Sequence, residues 1–312
     1  VIEIPEAFMR STIEREGASG AQWLASLPEL VPALFERWGC LFDGPVMHGE
    51  IGVVFPVRHG QGAAVLKISF PHPGSVWEPD AFEAWKGRGA VRLYERADEC
   101  FAMLLERAGS RKLAELRDKD EVVRIAGQIN RRLAVPAPPG LPRLRDRVAR
   151  WEQSLLRDAA DFAYALPRRV VEEAIATVRE LGGDQPDLVI HGDLHAGNIL
   201  GADREPWLAV DPEGLVGDPA YDGGTFLKRH VFALLEEEDL DRAVLRSLHM
   251  FAEAAELDAE HVRRWAQFQL VEAAFWRRSQ AIPAAGGGAS PDELTQFADH
   301  LAQVLASRAG LL

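Results

Sequence analysis

The chain has 312 residues, with 35 Lys and Arg against 48 Asp and Glu, a formal charge of −13. That length accommodates one large domain or two modest ones around a real hydrophobic core. The acidic balance argues against nucleic acid or an anionic membrane as partner, since both demand neutralising Lys and Arg; a cationic small molecule suits it better.

Cys40 and Cys100 are the only cysteines and form no CxxC pair, so neither a disulfide framework nor a Cys-rich zinc site is expected. The opening VIEIPEAFMRSTIERE is charged and interrupted by Pro5, unlike a signal peptide, and no apolar run approaches a membrane span. A cytoplasmic monomer is the expectation.

Residues 46–70, VMHGEIGVVFPVRHGQGAAVLKISF, read as strand, turn, strand: β-branched residues punctuated by Gly49, Gly52, Gly60 and Gly62. EPDAFEAW (78–85) reads as a short helix with Pro79 in its first turn. AVRLYERA and CFAMLLERA follow as strands, the second almost wholly apolar and therefore central. From residue 111 helical patterns take over, at 111–132, 141–165, 168–181, 222–238, 241–256, 259–280 and 291–308, interrupted by a strand cluster between 188 and 211. Pro-Gly stretches at 135–142 and 282–291 read as surface loops, and the acidic run LLEEEDLD (234–241) as a solvated face. The pattern is α+β: an antiparallel β lobe over 1–108, with an N-terminal helical segment, then a helical lobe over 109–312. A cleft between the lobes is the expected ligand site.

The chemistry concentrates in VIHGDLHAGNIL (189–200). NIL runs out from Asn198, GADREP turns, and WLAV returns to Asp211, so a hairpin would bring Asn198 and Asp211 to its open end. Both offer hard oxygen ligands suited to Mg²⁺. Asp193, Leu194 and Asn198 match the D-L-x-x-x-N spacing of kinase catalytic loops, in which the Asp accepts the substrate hydroxyl proton and the Asn holds a metal. Asp211 takes the place of the D-F-G aspartate, although Pro212, Glu213 and Gly214 follow it. His191 and His195 are four apart, as in H-E-x-x-H. Here, however, Gly192 follows the first His and the segment leaves a strand, so the pair reads as loop scaffolding.

A kinase also needs a strand Lys paired with a helix carboxylate. Lys67 in AAVLKISF is that candidate, with Glu78 the favoured partner and Glu83 the second. The turn GEIGVV, with Gly49 and Gly52, offers backbone N–H groups to phosphates but lacks the full G-x-G-x-x-G. In GDPAYD, Asp218 and Asp222 read either as braces of the catalytic loop or as helix caps. The scattered Trp residues read as core or cleft wall.

HGDLHAGNIL…WLAVDPEGLVGDPAYD, with VLKISFPHP…EPDAFEAWKGRGAVRLYE upstream, resembles the aminoglycoside phosphotransferase family over roughly residues 20–280. Within it, the chain resembles the streptomycin 6-phosphotransferase and hydroxyurea phosphotransferase branch. The resemblance implies a two-lobed protein-kinase-like fold and ATP as phosphoryl donor, its adenine against a hinge near Glu106–Ala108. It implies Mg²⁺ on Asn198 and Asp211, Lys67 on the α- and β-phosphates, and Asp193 aligning and deprotonating a hydroxyl of a cationic small molecule. DGGTF (222–226) departs from the apolar residues expected after Tyr-Asp.

Overall fold

The computed structural model describes residues 3–60, 62–163, 165–281 and 293–307. The loop expected at 282–291 lies outside the described residues. The chain forms two compact units, one of Val1–Ser110 with Leu200–Gly214, the other of Arg111–Ile199 with Leu215–Leu312.

The first unit begins with α1 (Glu6–Trp38), broken at Gly17, whose φ of 61° is open to glycine at little cost. Beyond the break the buried residues Gly20, Leu24, Leu27, Val31, Leu34 and Trp38 recur at helical spacing, giving one apolar stripe. That stripe covers a sheet of β1 (Leu41–Phe42), β2 (Met47–His48), β3 (Gly52–His59) and β4 (Gly62–Ser69). After α2 (Glu78–Trp85) the sheet is completed by β5 (Leu93–Ala97) and β6 (Ala102–Glu106). The order is β1-β3-β4-β6-β5, with β2 also on β3, all antiparallel. The apolar β6 thus lies between two strands, as its composition predicts.

The two-residue period sorts the sheet's faces. Val53, Phe55, Val57, Leu66, Ile68 and Leu104 share a buried core with the α1 stripe. Lys67 is opposite Val54 on one side and Met103 on the other, and so faces away from α1.

The second unit holds α3 (Lys119–Leu133), β7 (Val135–Pro136), α4 (Val148–Asp161), α5 (Arg168–Leu181) and β8 (Leu188–Ile190). The hairpin β9 (Ile199–Gly201) and β10 (Trp207–Ala209) comes next in the chain. β11 (Leu215–Val216), α6 (Ala220–His230), α7 (Leu240–Ala255), α8 (Ala259–Ala281) and α9 (Glu293–Ala306) complete the second unit. β8 lies between β7 and β11, α3 packs on α7, and α8 packs on α5, α6 and α9. Trp151, Tyr221, Trp265 and Phe268 form one aromatic cluster. A Cβ on Gly223 would lie 2.9 Å from the Phe251 ring, and one on Gly224 2.8 Å from the Ala266 nitrogen, so α6 needs both to approach its neighbours.

Four expectations need correction, one of them the helix expected at 222–238: α6 ends at His230 and passes into a 3₁₀ turn at Val231–Leu234. Residues 200–214, assigned above to the helical lobe, belong to the first unit. There Ala209 exchanges backbone hydrogen bonds with Gly89 and Val91, and the Gly109 N–H donates to the Gly201 carbonyl at 2.7 Å. The helix expected at 111–132 begins at Lys119, capped by the Asp118 carboxylate on the Glu121 N–H. The helix expected at 141–165 is α4, entered through a 3₁₀ turn at Leu144–Arg147.

His230, at the end of α6, is buried and stacked on Phe226 with ring centroids 5.1 Å apart. Its Nε2 has no hydrogen-bond partner among the described residues. Burial, aided by Lys119, pushes its pKa down to about 4. A histidine depressed in the folded state contributes stability that is intact above its ordinary value and is lost as pH falls through that value toward the folded one. Between pH 6.5 and 4 that loss amounts to about 3 kcal/mol. Urea midpoints measured across this window should fall less steeply for His230→Leu than for the unsubstituted protein.

Candidate active site

Lys67 projects from β4 on the face opposite α1, and its ammonium lies 2.6 and 2.8 Å from the two carboxylate oxygens of Glu78. A third bond, of 2.6 Å, reaches Asp211. The Lys67 and Glu78 side chains are 11% and 2% exposed, whereas that of Asp211 is 51% exposed. Burial alone would lower the Lys67 pKa, but the Asp211 and Glu78 carboxylates outweigh it and hold the ammonium above its ordinary range. Burial, with the nearby Asp211 charge, pushes Glu78 up, against the opposing pull of Lys67. One cation thus serves two carboxylates, one enclosed and one reaching solvent.

Glu78 rather than Glu83 is the partner, for a helical reason. Five residues of α-helix turn the chain roughly 140° past a full revolution, so the two carboxylates leave α2 on different sides. Glu83 pairs instead with Arg96. The Pro79 start places Glu78 in the first turn, where the helix dipole also favours an anion.

Asp211 has φ 58°, in the left-handed region, which Asp tolerates better than most residues. Gly214 has φ 70°, and a Cβ there would collide with the Trp77 carbonyl immediately before α2. The Gly of Asp211-Pro212-Glu213-Gly214 is therefore needed for the segment to pass beneath the helix that carries Glu78.

Gly49 and Gly52 delimit the β2–β3 turn, closed by a 2.9 Å bond from the Gly49 N–H to the Gly52 carbonyl. Gly49 is exposed. Gly52 is buried, and a Cβ on it would lie 3.1 Å from Ser69 Oγ. At the end of β6, Glu106 spends its carboxylate on Arg204 and on the Arg92 N–H, while Ala108 is half-buried just beyond.

In the second unit, the loop after β8 carries Asp193 and Asn198. The Asn198 side-chain amide nitrogen donates to the Asp193 carbonyl at 3.1 Å, which turns the amide oxygen the other way. The Asp211 carboxylate and the Asn198 amide oxygen are each, by their chemistry, of the donor type that suits a hard divalent cation such as Mg²⁺. His195 Nε2 lies 3.7 Å and Arg229 3.9 Å from the Asp193 carboxylate. The histidines act as scaffolding: His191 Nδ1 accepts the Asp193 N–H at 3.3 Å, and His195 Nδ1 accepts the Gly197 N–H at 3.0 Å. No metal-holding group of three His, Cys, Asp or Glu occurs among the described residues.

The open question about Asp218 and Asp222 divides between them. Asp222, fully buried, accepts the His191 and Gly192 N–H groups at 2.7 and 2.8 Å and so braces the loop that carries Asp193. Asp218 takes the Ala220 N–H at the start of α6 and the Trp265 indole N–H.

A family model described as "Aminoglycoside/hydroxyurea antibiotic resistance kinase" matches residues 37–281. The chain belongs to this family. It is 36% identical over 279 residues to the streptomycin 6-kinase of Streptomyces glaucescens, covering 88% of this chain and 91% of the relative. It is 38% identical over 227 residues to the hydroxyurea phosphotransferase of Kitasatospora aureofaciens, covering 71% and 67% respectively. A choline/ethanolamine kinase family protein from Mesorhizobium loti superposes with a TM-score of 0.57 at 16% identity, over 90% of this chain and 94% of the other. The fold is therefore α+β and kinase-like, with an antiparallel sheet lobe and a helical lobe, and the protein is an enzyme of the aminoglycoside O-phosphotransferase type.

Arg204 was not legible as a site residue. It lies in a polar turn with no spacing rule to mark it, and only the fold brings its guanidinium to Glu106 at 2.8 Å.

Asp222→Ala would leave two buried backbone N–H groups without an acceptor. It should lower the unfolding free energy by about 3 kcal/mol, read as a drop in the urea midpoint at constant slope.

Proposed function

We propose that this enzyme transfers the γ-phosphoryl group of ATP to a hydroxyl of a small cationic acceptor, an aminoglycoside of the streptomycin type. The observation that carries the reading is the buried Lys67–Glu78 pair whose ammonium also reaches the half-exposed Asp211. A cation fixed in this way suits the nucleotide's α- and β-phosphates, with Glu78 keeping it charged and aimed. The Gly49–Gly52 turn offers backbone N–H groups to the phosphates, and the chain at Glu106–Ala108 offers backbone groups to the adenine.

Asp211 and Asn198 are proposed as the protein's Mg²⁺ ligands. The ion would neutralise the charge that gathers on the phosphates during transfer. Asp193 is proposed to accept the proton of the acceptor hydroxyl. The Asn198 amide on its carbonyl, and Asp222 beneath the preceding backbone, hold it in place. The chain's formal charge of −13 favours a cationic acceptor. The 38% identity to the relative named a hydroxyurea phosphotransferase supports hydroxyurea as a second acceptor reading. No helix among the described residues is long and apolar enough to cross a membrane, and a cytoplasmic monomer is part of this proposal.

Purified protein should release ADP when given MgATP and streptomycin, and less with hydroxyurea. Release with hydroxyurea alone would replace the first acceptor with the second. Asp193→Ala should keep nucleotide affinity and lower turnover by about 10²–10⁴-fold. Near-normal turnover would remove Asp193 from the role.

A further inference from the structure

Arg204 makes more polar contacts than any surface arginine needs. Its Nε donates to both carboxylate oxygens of Glu106, at 2.9 and 3.2 Å, and its Nη2 donates to Glu106 Oε2 at 2.8 Å. Nη1 reaches the Gly87 carbonyl at 2.9 Å and Glu205 at 2.7 Å, and Nη2 reaches the Ala90 carbonyl at 2.9 Å. The Arg204 and Glu106 side chains are 21% and 12% exposed. All three guanidinium nitrogens are engaged, on a side chain that stands in a hairpin turn.

The contacts join three segments of the first unit: the β9–β10 turn, the loop at 87–90, and the end of β6. Backbone bonds fasten the same joint on either side. Gly109, just past the hinge, donates to Gly201, and Ala209 bonds Gly89 and Val91. Asp211 lies two residues beyond β10 and is itself half-exposed, so its place beside Lys67 depends on where the hairpin ends.

We propose that Arg204 is a positioning residue for the nucleotide: it clamps the β9–β10 hairpin to the hinge end of β6 and so holds Asp211 at Lys67. The consequence for ATP rests on the function proposed above; the clamp itself does not. A lysine cannot replace it, since one compact ammonium cannot span Glu106 and two carbonyls on different segments. Glu106, in turn, is a side chain committed to the clamp, which leaves nucleotide recognition there to the backbone.

The test compares Arg204→Ala, Arg204→Lys and the unsubstituted enzyme. Without nucleotide, hydrogen exchange of amides in 199–211 should quicken by about tenfold or more in Arg204→Ala, with β3 and β4 unchanged. With nucleotide, KM for MgATP should rise by about tenfold while KM for the acceptor stays within about twofold, and Arg204→Lys should fall between. Unchanged exchange would overturn the clamp. A folded Arg204→Ala with a lower Tm but an unchanged KM for MgATP would reduce Arg204 to a purely structural residue and overturn the positioning role. If the unsubstituted enzyme transfers no phosphate from ATP, the functional reading fails while the exchange result still decides the clamp. If Arg204→Ala does not fold, Glu106→Gln carries the same comparison, with a smaller rise in KM expected and no rise overturning the proposal.

Discussion

An ammonium group enclosed between a β-sheet and a helix is the constraint on which the rest of the first unit depends. Removing a lysine from water costs several kcal/mol, and the cost is tolerable only where carboxylates meet it in good geometry. Three separate segments must agree for that to happen at Lys67. The β3–β4–β6 register turns its side chain away from α1. The Pro79 start of α2 sets Glu78 in the first turn. The backbone at Asp211 adopts φ 58°, a conformation that costs a non-glycine residue about 1–2 kcal/mol. Glu78 and Asp211 differ in exposure, which separates a structural partner from one able to serve a ligand.

The second unit solves a different problem, that of holding Asp193, the proposed proton acceptor, on a loop without enclosing it. Asp193 keeps a 37% exposed side chain. The rigidity comes from beneath, where Asp222 binds two consecutive backbone N–H groups and the two histidines fold their rings back onto the same loop. Gly223 and Gly224 let α6, which carries Asp222, pack directly on the Phe251 ring of α7 and on the backbone of α8. The departure from the apolar pattern at DGGTF therefore follows from packing under the loop, with no need to invoke the acceptor.

Much of this was readable from the sequence wherever the signal was local. The helix at 78–85, the strands around Gly49 and Lys67 and the apolar β6 follow from periodicity and turn residues. The candidate status of the loop after β8 follows from the spacing of Asp193 and Asn198. What was illegible depends on contacts distant in sequence. The choice between Glu78 and Glu83 needs the register of Lys67 with Met103 and the rotation of α2. The membership of residues 200–214 in the first unit rests on bonds to Gly89, Val91 and Gly109, none of which leaves a mark in composition. The same holds for Arg204, whose partner Glu106 is 98 residues away.

The central claim is that the Lys67 ammonium is the phosphate anchor, kept charged by Glu78 and oriented with Asp211. Equilibrium titration of MgATP into the unsubstituted protein and into Lys67→Met tests it most directly. The account predicts saturable binding to the first and a loss of about 10²-fold or more in the second, as expected where a charge-assisted contact to phosphate is removed. Equal affinity in a folded Lys67→Met protein would contradict it.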